Sequence, residues 1–184
     1  MIKTTGLILR PLARSDAERL AYLCNDKTLA RQTSRLPFPY TLENAIEFIE
    51  RSINEAQTGE EYRFGAYADD TLVACTGVMP TAHETFELGY WVGRDARGKG
   101  VATRAATAIL IYAFNRLKAQ TMTAGYFHDN PASARVLEKL GFRRTGEIVK
   151  TFSRGRNADV DTIRMTLARD DFAPRYPVEM EDVR

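Results

Sequence analysis

Apolar and polar positions recur along the chain at spacings that lay out its elements. Gly6-Leu-Ile-Leu-Arg-Pro-Leu12 is apolar, partly β-branched and broken by Pro11, which predicts an opening strand. Ala17, Leu20, Ala21 and Leu23 or Cys24 then fall at helical spacing behind Ser15 or Asp16, either of which can cap a helix running to about Asn25. Arg31 to Tyr40, with Pro37 and Pro39, reads as a loop. Thr41 lies three residues before Asn44, an imperfect capping box, and Leu42, Ala45, Ile46, Ile49 and Ile53 make one face of a second helix ending near Gly59. Tyr62–Ala68 and Thr71–Met79 flank Asp69-Asp70 as a hairpin, and Phe86–Val92 makes a third strand of that run.

After Val92 the period changes. Val101, Ala105, Ala108, Ile109 and Tyr112 predict a helix to about Leu117. Thr121–Phe127 is another strand, Pro131–Leu140 a short helix closed by Gly141, and two late strands cover about Arg144–Phe152 and Val160–Leu167. The order β-α-α-β-β-β-α-β-α-β-β, with no linker or repeat, predicts one domain over residues 1–184. Its fold class is α/β, a mixed and largely antiparallel sheet flanked by helices. Pro174 to Arg184, with Pro177 and alternating charges, is expected to be a loose end.

Composition narrows the function mainly by exclusion. Cys24 and Cys75, His83 and His128 are too scattered for a zinc site or a disulfide framework, so no metal is expected. No run of about 18 apolar residues suits a bilayer, which predicts a cytoplasmic protein with no membrane partner. The formal charge is +2 and no block of like charges occurs, so direct nucleic-acid binding is not expected either. The informative charges are local: Arg94, Arg97 and Lys99 crowd the glycine turn Gly93-Arg-Asp-Ala-Arg-Gly-Lys-Gly100, between a strand and a helix start. Such a turn offers backbone N–H groups at the positive end of a helix dipole, where phosphate binds. A P-loop needs a Ser or Thr where Gly100 stands, and a dinucleotide fingerprint needs a glycine where Thr103 stands.

Arg97-Gly-Lys-Gly100-Val-Ala102 fills every position of the acyl-CoA turn of the GNAT N-acetyltransferases, which this sequence resembles. Asn130-Pro-Ala-Ser133, running on to Gly141-Phe142, is similar to the family's second signature. Leu7–Leu12 and Glu87–Val92 are similar to the RimJ/RimL branch, whose members acetylate N-termini of ribosomal proteins. The resemblance spans about Gly6 to Phe172. It implies acetyl-CoA as co-substrate, held in a splayed pair of strands. Backbone N–H groups of Gly98, Lys99, Gly100, Ala102 and Thr103, in the stretch that includes Val101, would hold the pyrophosphate. Arg97 and Lys99 would add charge, with Arg135 a further candidate. Backbone around Tyr90, Trp91 and Val92, together with Asn130, would hold the thioester and pantetheine.

For the chemistry the resemblance implies direct attack by an amine in a ternary complex. Many members carry a tyrosine acid four positions after the serine. Here that position is Leu137, which leaves Ser133, directly or through water, as the expected acid. Glu87 is the expected base, with His83 behind it. Deprotonating an α-amine, with a pKa of roughly 7.7–8.0, costs about 1.4 kcal/mol at pH 7, whereas a lysine costs about 5. One carboxylate base therefore favours a protein or peptide N-terminus as acceptor. Small amines are the alternative within the fold; a non-catalytic acyl-CoA sensor and a P-loop-like nucleotide protein are the alternatives outside it. Either a monomer or a homodimer is expected.

Overall fold

The computed structural model describes residues 1–181. Its strands form one sheet: β1 (Ile2–Thr4), β2 (Leu7–Arg10), β3 (Tyr62–Ala68), β4 (Thr71–Ala82), β5 (Thr85–Val92), β6 (Thr121–Phe127), β7 (Arg143–Ser153), β8 (Ala158–Ala168) and β9 (Val178–Met180). The spatial order is β7-β8-β6-β5-β4-β3-β2-β1-β9. Every neighbouring pair is antiparallel except β5–β6, which is parallel and carries the crossover helix. The helices are α1 (Ala17–Cys24), α2 (Lys27–Arg31), α3 (Leu42–Thr58), α4 (Val101–Asn115) and α5 (Pro131–Lys139).

Local chemistry accounts for most of these boundaries. Thr41 and Asn44 form a reciprocal capping box: Asn44 N–H donates to the Thr41 hydroxyl at 3.3 Å and Thr41 N–H to the Asn44 side chain at 3.1 Å. At its far end α3 stops on Gly59 at φ +79°, a left-handed cap. Asp69 and Asp70 both adopt positive φ (46° and 58°), the conformation a two-residue hairpin turn requires. Asn130 accepts from Ser133 N–H at 3.1 Å and Pro131 follows it, which starts α5.

Three expectations from the sequence are corrected. The supposed loose tail includes β9, which pairs with β1 and closes the sheet edge; residues 182–184, the end of that expected tail, lie outside the described residues. A first strand precedes Gly6, because Gly6 at φ +66° folds Ile2–Thr4 back on Leu7–Arg10 and buries Ile2. Finally, α2 lies just ahead of the expected loop, started by Asp26, whose carboxylate accepts from Thr28 and Leu29 N–H.

The core has two sides. On one face α4 and α5 cover the sheet, and α4 is buried nearly all round, with Ala105, Ala106, Ala108 and Ala113 letting it approach closely. On the other face α1 and α3 pack Leu20, Leu23, Ala45 and Ile49 against Tyr67, Cys75 and Trp91. Cys24 and Cys75 are both buried on this side as free thiols, raised by burial, Cys75 to about 12.

Candidate active site

The parallel pair β5–β6 is short. Only Thr85–Glu87 pair with Thr121–Thr123; beyond them both strands run on, to Val92 and Phe127, without a ladder between them. A cleft of about 730 Å³ occupies this fork and is lined by residues from both faces of the sheet. Its walls include Tyr90, Trp91 and Val92 on β5, Tyr126 on β6, and Asn130, Ser133 and Arg135 at the start of α5.

The glycine turn closes one end. Gly98 and Gly100 have φ +75° and +73°, and a Cβ built on either meets nothing within 4 Å. Glycine is required there for its backbone angle, and the space in front of it is vacant. Gly100 is the N-cap of α4, no side chain caps that end, and no acidic residue lies in its first turn. Helix N–H groups at Val101, Ala102 and Thr103 therefore present the positive end of the dipole to the cleft. The nearby cations are already engaged. Arg97 donates to Asp26 at 2.7 Å and to the Val92 carbonyl at 3.0 Å. Lys99 donates to the Asp95 carbonyl at 2.8 Å, and Arg94 lies over the Tyr22 ring. The turn thus attracts an anion through backbone groups, while Arg97 braces it to α2.

On the α1–α3 side, Glu87 and Gly89 share a strand face with Trp91. Glu87 accepts from both terminal nitrogens of Arg164 on β8, at 3.1 and 3.0 Å, and this pair holds the guanidinium above the ordinary arginine range. The arginine reaches Glu87 across Gly125, where a Cβ would stand 3.0 Å from the guanidinium and 2.8 Å from Thr162 Cγ2. The other carboxylates lining the cleft are paired as well. Glu61 accepts from Arg35 at 2.7 Å and from Arg63, and Asp129 accepts from Arg156 at 2.8 and 2.9 Å. On the α4–α5 side, the Tyr90 hydroxyl and Ser133 Oγ are 2.8 Å apart, and burial pushes the Tyr90 phenol up to about 12 despite the Ser133 bond.

A family model described as acetyltransferase (GNAT) domain matches residues 6–143. The chain belongs to the GNAT acetyltransferases. Among curated relatives of this GNAT enzyme is "Probable N-acetyltransferase YjcK" of Bacillus subtilis, 32% identical over 154 residues, 79% of this chain and 85% of that one. Mycobacterium smegmatis RimJ in complex with CoA-disulfide shares the fold with a TM-score of 0.81 at 20% identity, covering 92% of this chain and 86% of that chain. The ribosomal-protein-S5-alanine acetyltransferase of Vibrio fischeri does so at 0.78 and 21%, covering 94% and 98%. The protein is an acetyl-CoA-dependent N-acetyltransferase, and its fork, its vacant glycine turn and its uncapped helix end fit that co-substrate.

Most of the positions singled out in this acetyltransferase's sequence line the cleft: Glu87, Tyr90, Trp91, Val92, Arg97, Gly98, Gly100, Val101, Ala102, Thr103, Asn130, Ser133 and Arg135, whereas His83, Arg94 and Lys99 do not. Lys99 sits outside it with its ammonium folded back on the turn. His83 is 92% exposed in the β4–β5 turn, at the closed end of the fork. Sequence reasoning missed Arg164, although the alternation of β8 puts it on the same face as Thr162. The Tyr90 hydroxyl was also missed, since only that residue's backbone had been expected to act. Among the described residues no group of side chains suits a metal ion, and no helix is long and apolar enough to cross a membrane.

Proposed function

We propose that the acceptor is the α-amine of a protein or peptide, attacked directly in a ternary complex. One observation carries this reading: every carboxylate lining the cleft is ion-paired with arginine, and neither histidine lines it. Freeing an oxygen of Glu87 to take a proton means breaking one of two charge-assisted bonds. A site with so little base suits a nitrogen that is already partly neutral near pH 7, and an α-amine is such a nitrogen where a lysine or polyamine is not. The Vibrio fischeri fold relative, whose name gives a ribosomal-protein alanine as its substrate, supports the same class.

Acetyl-CoA supplies the activated acetyl group; the chain supplies position and proton handling. Backbone groups of Gly98, Gly100 and Val101–Thr103 anchor the pyrophosphate, and the unpaired edges of β5 and β6 hold the pantetheine and the thioester between them. Ser133, held by Tyr90, faces the thioester from the start of α5. Glu87, held by Arg164, receives the proton shed by nitrogen through a water. The test is a panel of acceptors followed by CoA release and mass-spectrometric mapping of the acetyl group. It comprises a peptide with a free N-terminus, the same peptide with a blocked N-terminus and an internal lysine, and a polyamine. Turnover is expected only with the free N-terminus, and preference for lysine or polyamine overturns the reading. Glu87→Gln and Ser133→Ala are each expected to lower kcat about tenfold; if both turn over as wild type, those two roles fall.

A further inference from the structure

Two residues lining the cleft, Gln32 and Tyr126, each carry a buried side-chain oxygen with no hydrogen-bond partner, and of these only the Tyr126 hydroxyl lies on a strand of the fork and can donate. Tyr126 is only 5% exposed, lines the cleft, and its hydroxyl is buried with no hydrogen-bond partner. Buried hydroxyls are almost always satisfied, because a buried donor without a partner costs free energy in the free protein. An unsatisfied one that lines a substrate cleft points to a partner that arrives with the substrate.

Register says where Tyr126 stands along the fork. The last paired residues of the fork are Glu87 and Thr123, and Tyr90 and Tyr126 each lie three residues beyond them. The two tyrosines therefore occupy corresponding positions on the two arms of the fork. They also lie on the same face of the sheet, in one cluster with Leu88, Ala124, Ala134 and Leu137. Tyr90 is already committed to Ser133 at 2.8 Å. Tyr126 is uncommitted, and packs in the cluster that contains Leu137, the position where no hydroxyl is available.

We propose that the Tyr126 hydroxyl donates a hydrogen bond to the sulfur that leaves as CoA thiolate. The inference rests on the reading that the fork holds the thioester, and not on which amine attacks it. In the transfer the nitrogen lone pair forms the C–N bond, the C–S bond breaks, and its electron pair stays on sulfur. The proton shed by nitrogen goes to solvent by way of Glu87, and sulfur is afterwards protonated from water. Tyr126 keeps its proton throughout. An ordinary phenol titrates near 10 and an ordinary thiol near 8.5, so a phenol stabilises a thiolate by donating a hydrogen bond rather than by surrendering the proton. The bond strengthens as charge builds on sulfur, which is when stabilisation lowers the barrier.

Tyr126→Phe keeps the ring and removes only the hydroxyl. The thiol of bound CoA is titrated by the ultraviolet difference absorbance of its thiolate in wild type and variant, alongside steady-state kinetics and thermal melting without ligand. The thiolate fraction at a given pH below the midpoint is expected to be about tenfold lower in the variant, the size of one good hydrogen bond to a charged group. The kcat for acetyl transfer is expected to fall about tenfold, with KM for acetyl-CoA within about twofold of wild type. The ligand-free variant is expected to melt no lower than wild type, because the hydroxyl it loses had no partner. Wild-type titration and turnover in the variant overturn the proposal, and so does a lowered melting temperature, which would reveal a structural partner. If CoA fails to bind wild type at all, the fork reading falls first and this inference with it.

Discussion

At the scale of single residues, Gly100 separates what the fold needs from what the ligand needs. Its φ of +73° is costly for any residue with a Cβ, about 1–3 kcal/mol, yet a Cβ there would touch no protein atom. Gly100→Leu is thus expected to leave a folded protein while filling the space before the helix end. Its affinity for CoA, measured by calorimetry, should fall at least about tenfold, equivalent to about 1.4 kcal/mol. Unchanged affinity would remove the turn from the binding site. Arg97 makes a different point: a basic residue in an anion-binding motif can serve as a brace. Its bond to Asp26 also opposes the effect of burial on that carboxyl, leaving Asp26 below the usual carboxylate range.

Between elements, one glycine on β6 decides whether two other strands can communicate. Arg164 on β8 reaches Glu87 on β5 only by lying across Gly125, since β6 stands between them in the sheet. Gly125→Ala puts a methyl group into Thr162 Cγ2 and against the guanidinium. Overpacking of this kind typically costs about 1–3 kcal/mol, read as a lower urea midpoint. The arginine is then expected to swing off Glu87, and Arg164→Met should reproduce the change in activity without the methyl contact with Thr162. A variant as stable as wild type with the Arg164–Glu87 pair intact in its structure would show that β6 does not restrict the path. This coupling is invisible in a strand pattern, because it depends on three strands that are neighbours in space and distant in the chain.

For the whole molecule, one contribution to stability at acid pH comes from the point where α1 meets the sheet. Asp16 accepts from Ala13 N–H at 2.7 Å, from the Tyr67 hydroxyl at 2.7 Å and from Arg10. Burial pushes this carboxyl up, but those bonds outweigh it and leave it below the usual range. A carboxyl depressed on folding adds stability that is complete above its unfolded value, about 4, and is lost as pH falls through the folded value. Stability measured by urea unfolding is therefore expected to drop below about pH 4. Asp16→Asn should lower it by about 1–3 kcal/mol at neutral pH and make that acid limb shallower. A variant with the wild-type acid limb would move the effect elsewhere. The sequence had marked Asp16 only as a possible cap, since its partners Tyr67 and Arg10 come from other elements. The same division holds across the molecule. Period and turn chemistry revealed α3, α4, the Asp69-Asp70 hairpin and the glycine turn, all of which are local. The β1–β9 edge, the engaged state of the turn cations and the arginine on every cleft carboxylate are contacts at long range, which no local pattern records. Three residue pairs are all the ladder that joins β7-β8-β6 to the other six strands. The nine strands are one sheet held across a narrow seam, so a pantetheine arm lying in the fork would supply the missing rungs and make the substrate part of the scaffold that positions it.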